Sequence, residues 1–142
     1  MSEENVKVVR RAYEAWNADD LDALLLLIHP DAELRQPDDL FLGSGTFYRG
    51  HAGFRAWWNL AKEPWEYFKS HIERTLEEGD KVATVVRFEA VGKESGVNVE
   101  LPFITNVFEL RGGLIVKFDT YYSLEEALEA VGLSEQDARA DS

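Results

Sequence analysis

The first part of the chain places hydrophobic residues at helical spacing. Four apolar positions are separated by three, four and three residues, which is the stripe of an amphipathic helix: Val6, Val9, Tyr13 and Trp16. We therefore predict a first helix that packs this stripe against a core.

The next segment predicts a second helix. Asp19 or Asp20 can cap it by accepting hydrogen bonds from its free N–H groups. Residues 24–27 are four leucines followed by Ile28, so this helix is apolar on several faces and must be covered on several sides. It should end at His29, because a residue before a proline is pushed out of the helical region.

A short strand, a loop and a third helix follow. Residues 31–37 predict a strand closed by a proline, and residues 38–50 an irregular stretch with a short strand at 46–49. Residues 52–63 return to helical spacing, with Phe54 and Trp58 four positions apart on the apolar side.

From residue 69 onward the spacing changes to the period of two that strands show. Four strands are predicted, over residues 69–76, 81–91, 97–110 and 114–122. Glycine-containing turns join each successive pair, as three hairpins require. A last helix over residues 124–131 should end at Gly132, and the polar tail after Leu133 is expected to fray.

Helices first and an antiparallel meander afterwards indicate the α+β class, because no strand–helix–strand alternation occurs. With 142 residues and no linker or repeat, the chain is expected to form one domain over residues 1–142. Its ordered core should extend over about residues 5–133, followed by the tail at 134–142.

Charge and residue counts exclude several kinds of function. The 15 basic and 27 acidic residues give a formal net charge of −12, which repels phosphate backbones and anionic lipid, so nucleic-acid and membrane partners are not expected. There is no cysteine, and the three histidines lack metal-ligand spacing, so no metal site is predicted. The acidic N-terminus and short apolar runs predict a cytoplasmic protein.

Five segments carry a family resemblance. They are residues 17–24 (NADDLDAL), 29–34 (HPDAEL), 48–50 (YRG), 95–97 (SGV) and 122–133 (YSLEEALEAVGL). Together they resemble the nuclear-transport-factor-2-like proteins, and in particular their SnoaL-like branch, over nearly the whole chain. The resemblance implies a cystatin-like, cone-shaped architecture, in which a curled antiparallel or mixed sheet packs against N-terminal helices around one apolar pocket. It also implies a homodimer.

One activity found in that family needs a base that this chain lacks. Ketosteroid isomerases place a carboxylate before a proline on the first strand, and the matching residue here is Gln36, which cannot accept a proton at neutral pH. Their oxyanion hole contains a protonated aspartic acid, and the residue at that position here is Asn106, which can still donate a hydrogen bond. We therefore reject ketosteroid isomerisation.

Limonene-epoxide hydrolases use an Arg-x-Asp pair and a second aspartate. Arg87 and Glu89 resemble the first element, with Glu in place of Asp, but the second aspartate falls on Thr120. The residues that hold the water fall on Leu34 and Gln36. Epoxide hydrolysis is therefore the weaker of the enzymatic alternatives.

SnoaL-like cyclases close a ring with one acidic residue and no cofactor, so the resemblance implies a similar set here. Glu89 beside Arg87 would act as acid and base, and Asn106 would donate to an enolate oxygen, with Gln36 or Tyr122 as further donors.

Two interpretations of the strand at 84–91 remain open. Because side chains alternate between the faces of a strand, either Arg87 and Glu89 face the pocket or the apolar positions Val86 and Phe88 do. In the second case the charged pair is exposed and contributes little.

The side chains predicted to line the pocket share an apolar or neutral character. They are Tyr13, Trp16, Leu34, Gln36, Phe54, Trp58, Ile104, Thr120 and Tyr122. The first functional hypothesis is an enzyme without cofactor that acts on a small apolar, carbonyl-bearing molecule. The second is a domain without catalysis that binds a ligand in the same pocket or serves dimerisation.

Overall fold

The computed structural model describes residues 2–37, 47–130 and 139–141. In chain order the elements are α1 (Ser2–Asn17), α2 (Leu21–Leu25), β1 (Ile28–Arg35), β2 (Phe47–Arg49), α3 (Gly50–Lys62), β3 (Trp65–Glu78), β4 (Lys81–Gly92), β5 (Asn98–Arg111), β6 (Leu114–Tyr121), α4 (Leu124–Ala130) and β7 (Arg139–Asp141).

The strands form one mixed sheet in the order β2-β1-β6-β5-β4-β3-β7. The three predicted hairpins are present as the antiparallel pairs β3–β4, β4–β5 and β5–β6, whereas β1 lies parallel to β6. The sheet is curled and unclosed, and α1 and α3 pack on its inner face. These features confirm the predicted α+β class and the curled, mixed sheet.

Aromatic side chains fill the core between the helices and the sheet. The ring of Trp16 stacks on Trp57 at 5.2 Å between centroids and meets Phe68 edge-on, also at 5.2 Å. A smaller cluster lies on the outer face, where Ala127 and Leu128 of α4 cover Val107. Both faces of the central strands are therefore partly covered.

The second helix is shorter than predicted. Asp20 caps it by accepting from the Ala23 N–H at 3.0 Å, and it ends at Leu25. The chain then turns into β1, because the Leu27 carbonyl accepts from the Ile115 N–H at 2.9 Å. His29 and Pro30 thus lie inside a strand, where the register of β1 against β6 shifts.

Other boundaries also differ from the predictions. β3 begins at Trp65, four residues early, and α3 begins at Gly50. The expected tail contains β7, which pairs with residues 75–77 of β3. Thr46 and Gly132, the predicted start of a strand and end of a helix, lie outside the described residues.

Candidate functional site

An apolar cavity lies between the helices and the inner face of the sheet. Its volume is about 40 Å³, which is room for roughly three or four water molecules at about 10–15 Å³ each. The wall is almost entirely apolar and consists of Ala12, Tyr13, Trp16, Leu24, Ile28, Gln36, Phe54, Trp57, Ser70, Phe88, Ile104, Asn106, Phe108, Ile115 and Phe118. A ring-sized ligand would require some of these side chains to move apart.

Five neutral side chains form a row beside the cavity. Thr84, Asn106 and Thr120 are direct neighbours across β4, β5 and β6, because the register of the two hairpins aligns them. Gln36 continues the row just after β1, and Tyr13 of α1 covers the other end. We call these five residues the polar chain.

Hydrogen bonds connect the polar chain without a break. Gln36 Nε2 donates to Thr120 Oγ1 at 2.9 Å, and Thr120 Oγ1 donates to Asn106 Oδ1 at 2.8 Å. Asn106 Nδ2 donates to the Tyr13 hydroxyl at 2.8 Å, which lies 2.6 Å from Thr84 Oγ1. All five side chains are buried. The polar chain therefore ties the first helix to four elements of the sheet region.

The side chains of this site are uncharged at neutral pH. Burial raises the pKa of Tyr13, although its hydrogen bonds with Asn106 and Thr84 act to lower it. Tyr13 consequently stays protonated at neutral pH. Among the described residues, no carboxylate, histidine or lysine lies on the cavity wall. The arrangement can hold and orient a neutral molecule, but these residues provide no base.

Three residues of the wall each have a buried polar atom that lacks a partner. Gln36 Oε1 and the indole Nε1 atoms of Trp16 and Trp57 are buried, with no hydrogen-bond partner among the described residues. All three side chains are on the cavity wall.

The charged pair predicted for catalysis lies on the other face of β4. Phe88 faces the cavity, while Glu89 accepts from the Tyr67 hydroxyl at 2.7 Å and Arg87 Nε donates to Glu73 at 3.1 Å. The Glu89 side chain is 38% exposed, and the Tyr67 hydrogen bond lowers the pKa of this carboxyl. The prediction that Arg87 and Glu89 face the pocket is therefore wrong, because burial of the apolar face of β4 turns them outward.

The remaining predicted residues divide into two groups. Tyr13, Trp16, Gln36, Phe54, Ile104 and Asn106 are on the cavity wall. The other four, Leu34, Trp58, Thr120 and Tyr122, are not on it. Leu34, Trp58 and Thr120 are buried, whereas Tyr122 follows the end of β6 and is 45% exposed.

Sequence reasoning missed several wall residues that strand alternation could have supplied. Phe108 is two positions from Asn106 and shares its face of β5, and Phe88 belongs to the apolar face of β4. Trp57 takes the place expected for Trp58, one position along α3. Nothing in the sequence marked Ser70 as a wall residue, since a serine is an ordinary residue in a strand that is half polar.

Within residues 2–37, 47–130 and 139–141 no group of histidine and acidic side chains has the arrangement of a metal site. None of the helices described there is long and apolar enough to cross a membrane.

Comparison with known proteins gives the family. Structures of the same fold include TerC co-crystallised with polyporic acid, 19% identical with a TM-score of 0.75 over 91% of this chain and 98% of TerC. IdmH from Streptomyces antibioticus, a proposed polyketide cyclase, is 24% identical with a TM-score of 0.72 over 91% of this chain and 99% of IdmH. An NTF2-like protein of unknown function from Burkholderia pseudomallei is 21% identical with a TM-score of 0.75 over 91% and 97% of the two chains. These identities establish the fold alone.

No curated protein sequence matches this chain. Residues 9–118, most of its length, match the profile of the SnoaL-like domain. The chain belongs to the SnoaL-like domain family, as its motifs predicted.

Proposed function

We propose that the cavity binds a small, neutral, ring-bearing apolar molecule and that the polar chain orients it. The observation that carries this proposal is the polar chain itself, five buried neutral side chains joined beside an almost entirely apolar cavity. Three of them, Tyr13, Gln36 and Asn106, are on the cavity wall. Buried polar groups cost free energy unless they are hydrogen-bonded, so a connected set of them beside a cavity favours a recognition role.

The apolar part of the wall would provide most of the affinity. Burial of about 150 Å² of ligand surface contributes roughly 4 kcal/mol at about 25 cal/mol per Å², before the cost of ordering the ligand and opening the cavity. Weak binding, with a Kd of about 1 mM or higher, is therefore expected for one-ring compounds. Other proteins of the same fold that were crystallised with polyporic acid or trimethylamine support a ligand-binding role.

Ligand titration tests the proposal. Neutral one- and two-ring compounds should raise the melting temperature and change the fluorescence of Trp16 and Trp57, which are on the wall. A ligand at ten times its Kd stabilises the fold by about 1.4 kcal/mol.

Variants on the two faces of the sheet make the test specific. Ile104→Phe, from the central strand, and Ala12→Val, from α1, should fill the cavity and abolish the ligand response while the protein stays folded. Glu89→Gln, on the outer face, should bind as the wild type does. Equal binding by the filled variants, or no response of the wild type to any compound, would contradict the proposal.

A ring closure without cofactor is a second candidate, favoured by Asn106 and Tyr13. These buried side chains could donate hydrogen bonds to an enolate oxygen in the cavity. The base would have to be a group other than Glu89, which is on the outer face. Turnover of a dicarbonyl ester that survives in Glu89→Gln and is lost in Asn106→Leu would support this candidate, and loss in Glu89→Gln would contradict it.

We also propose a homodimer that forms through the outer face of the sheet, as the family resemblance implies. The half-exposed ladder of Tyr67, Glu89 and Arg87 on β3 and β4 provides polar contacts for a second copy. Sedimentation equilibrium should give twice the mass of one chain. Arg87→Glu should lower the measured mass toward that of one chain, because it places like charges together at the interface. A monomeric wild type would exclude the homodimer.

A further inference from the structure

The ammonium group of Lys62, the last residue of α3, lies against two indole rings. Its Nζ atom is 4.2 Å from the ring centroid of Trp16 and 4.5 Å from that of Trp58. The two rings meet edge-on, with 74° between their planes, so the ammonium contacts two differently oriented rings at once. A cation within about 6 Å of an indole ring is attracted to its face, and more strongly where water is excluded.

The same ammonium fastens the end of the first helix. Lys62 Nζ donates to the backbone carbonyl of Trp16, in the last turn of α1, and to the carboxylate of Asp19 in the turn that follows. The last carbonyls of a helix lack partners within it and carry partial negative charge, and α1 has no basic residue of its own in that turn. Lys62 of α3 therefore supplies the positive charge that the end of α1 lacks.

These contacts hold a charged group largely out of water. The Lys62 side chain is 13% exposed, whereas that of Asp19 is 70% exposed. Burial lowers the pKa of Lys62, although its hydrogen bond with Asp19 acts to raise it. A buried charge costs free energy unless it is paired, so the two rings, the carbonyl and the carboxylate together keep the ammonium in place.

Trp16 connects this cluster to the cavity. Trp16 is on the cavity wall, and neither Lys62 nor Trp58 is. Both α1 and α3 contribute to the wall, and the contacts between the two helices include those of Trp16 with Trp57, Trp58 and Lys62. Within the described residues no backbone hydrogen bond joins α1 to α3, whereas ladders of such bonds join the strands opposite. The seam between the two helices is therefore the part of the wall that can open with the smallest loss of hydrogen bonds.

We propose that Lys62 is a latch, which holds the seam between α1 and α3 closed and so limits the admission of a ligand to the cavity. A ring-sized ligand requires side chains of the wall to move apart, and movement of Trp16 away from α3 breaks the contacts of the ammonium. Lys62 is thus a positioning residue that acts on the ligand through Trp16. This inference rests on the proposed binding function and names its regulation.

Removal of the charge should tighten ligand binding while it destabilises the fold. Contacts that exist only in the closed protein must break before a ligand enters, so they raise the apparent Kd in proportion to the scarcity of the open form. Lys62→Gln should lower the Kd of fluorobenzene about fivefold, through faster association, and should also lower the melting temperature. Fluorine NMR titration and relaxation dispersion of the ligand signal measure the Kd and the two rate constants.

Three further variants make the test specific. Lys62→Arg keeps a cation that stacks on indole rings and should bind as the wild type does. Asp19→Asn removes a charged partner of the ammonium from an exposed position, so it should tighten binding less than Lys62→Gln, and it keeps the test possible if Lys62→Gln does not fold. Arg35→Met is the matched control, because it also removes a cation, 5.2 Å from the ring centroid of Phe47, and neither residue is on the cavity wall. It should leave the Kd unchanged.

A purely structural role for Lys62 predicts a different result. Lys62→Gln would then lose stability and bind fluorobenzene as weakly as the wild type or more weakly, which would overturn the inference and preserve the binding function. If no ring compound binds either protein, the proposed function fails, and acrylamide quenching of the tryptophan fluorescence decides whether the latch exists. Steeper quenching in Lys62→Gln than in the wild type and Arg35→Met would support the latch, and equal quenching would overturn it.

Discussion

The hydroxyl of Tyr13 connects the first helix to the middle of the sheet. It accepts from Asn106 and lies within hydrogen-bond distance of Thr84, and its ring meets Phe108 edge-on at 5.8 Å. One side chain thus contributes to the stability of the fold and to the wall of the cavity.

Removal of that hydroxyl should therefore lower the stability of the fold. Tyr13→Phe keeps the ring contact but leaves the Asn106 amide and the Thr84 hydroxyl short of a partner, and we expect a loss of about 1–3 kcal/mol in the free energy of unfolding. Urea titration measures it. Tyr67→Phe, which removes a half-exposed hydroxyl bonded to Glu89, should cost less than about 1 kcal/mol. Similar losses in the two variants would contradict a special role for Tyr13.

Asp119 lies on β6 next to Thr120, and the strand turns it away from the polar chain. Burial raises the pKa of its carboxyl, although Lys117 and Arg35 act to lower it, and its Oδ1 has no partner among the described residues. A raised pKa in the folded state means that the protein loses stability as the pH rises from the ordinary Asp value, about 3.9, through the raised one.

Asp119→Asn should remove the loss of stability that the wild type shows with rising pH. Relative to the wild type, the variant should gain stability between about pH 4 and pH 7, by less than about 1 kcal/mol because solvent partly screens the group. Denaturant unfolding across this pH range measures the difference. A difference that does not change with pH would show that Asp119 does not act through its charge.

At the scale of elements, the hairpin turns and the starts of α2 and α4 were predicted well because their signals are local. Asn17, the last residue of α1, shows what a local signal misses: its side-chain amide donates to the Ser70 carbonyl at 2.9 Å and accepts from the Ser70 N–H at 2.8 Å. It pairs with the backbone of β3 as a neighbouring strand would. Asn17 and Ser70 are 53 positions apart, so no sequence window contains both.

The start of α3 depends on Gly50. Its φ of +70° favours glycine, and a Cβ there would lie 3.0 Å from the Pro30 carbonyl oxygen of β1. Gly50→Ala should therefore cost about 2 kcal/mol or more, because strain at positive φ adds to the contact with β1. Thermal or urea unfolding measures the loss.

Gly112 is the matched control for this prediction. Its φ of +58° is similar, but a Cβ would meet no atom within 4 Å. Gly112→Ala should cost about 1 kcal/mol from backbone strain alone. Equal losses at the two positions would show that the approach of β1 to α3 is not tight.

At the scale of the whole molecule, the net charge of −12 opposes compaction. Raising the salt concentration from about 0.01 M to about 0.1 M shortens the Debye length from roughly 30 Å to roughly 10 Å, which should raise the melting temperature by a few degrees at pH 7. Near the isoelectric point, about pH 4.6, the same change should have little effect. A salt effect of equal size at both pH values would contradict the electrostatic explanation.

The sequence alone determined the order and type of the main elements, the α+β class and the SnoaL-like family. It also indicated that Trp16, Phe54 and Asn106 belong near a pocket. These features depend on spacing along the chain, on turn glycines and on short motifs, all of which act over a few residues.

Tertiary structure decided which residues face the cavity. The strand at 84–91 has two faces that the sequence left open, and the packing of α1 and α3 on the apolar face turned Arg87 and Glu89 outward. The polar chain likewise exists only after folding, because Tyr13 and Thr84 are 71 positions apart and Gln36 and Thr120 are 84 apart. Strand register brings such residues together, and register is set by the packing of the whole sheet rather than by any one strand.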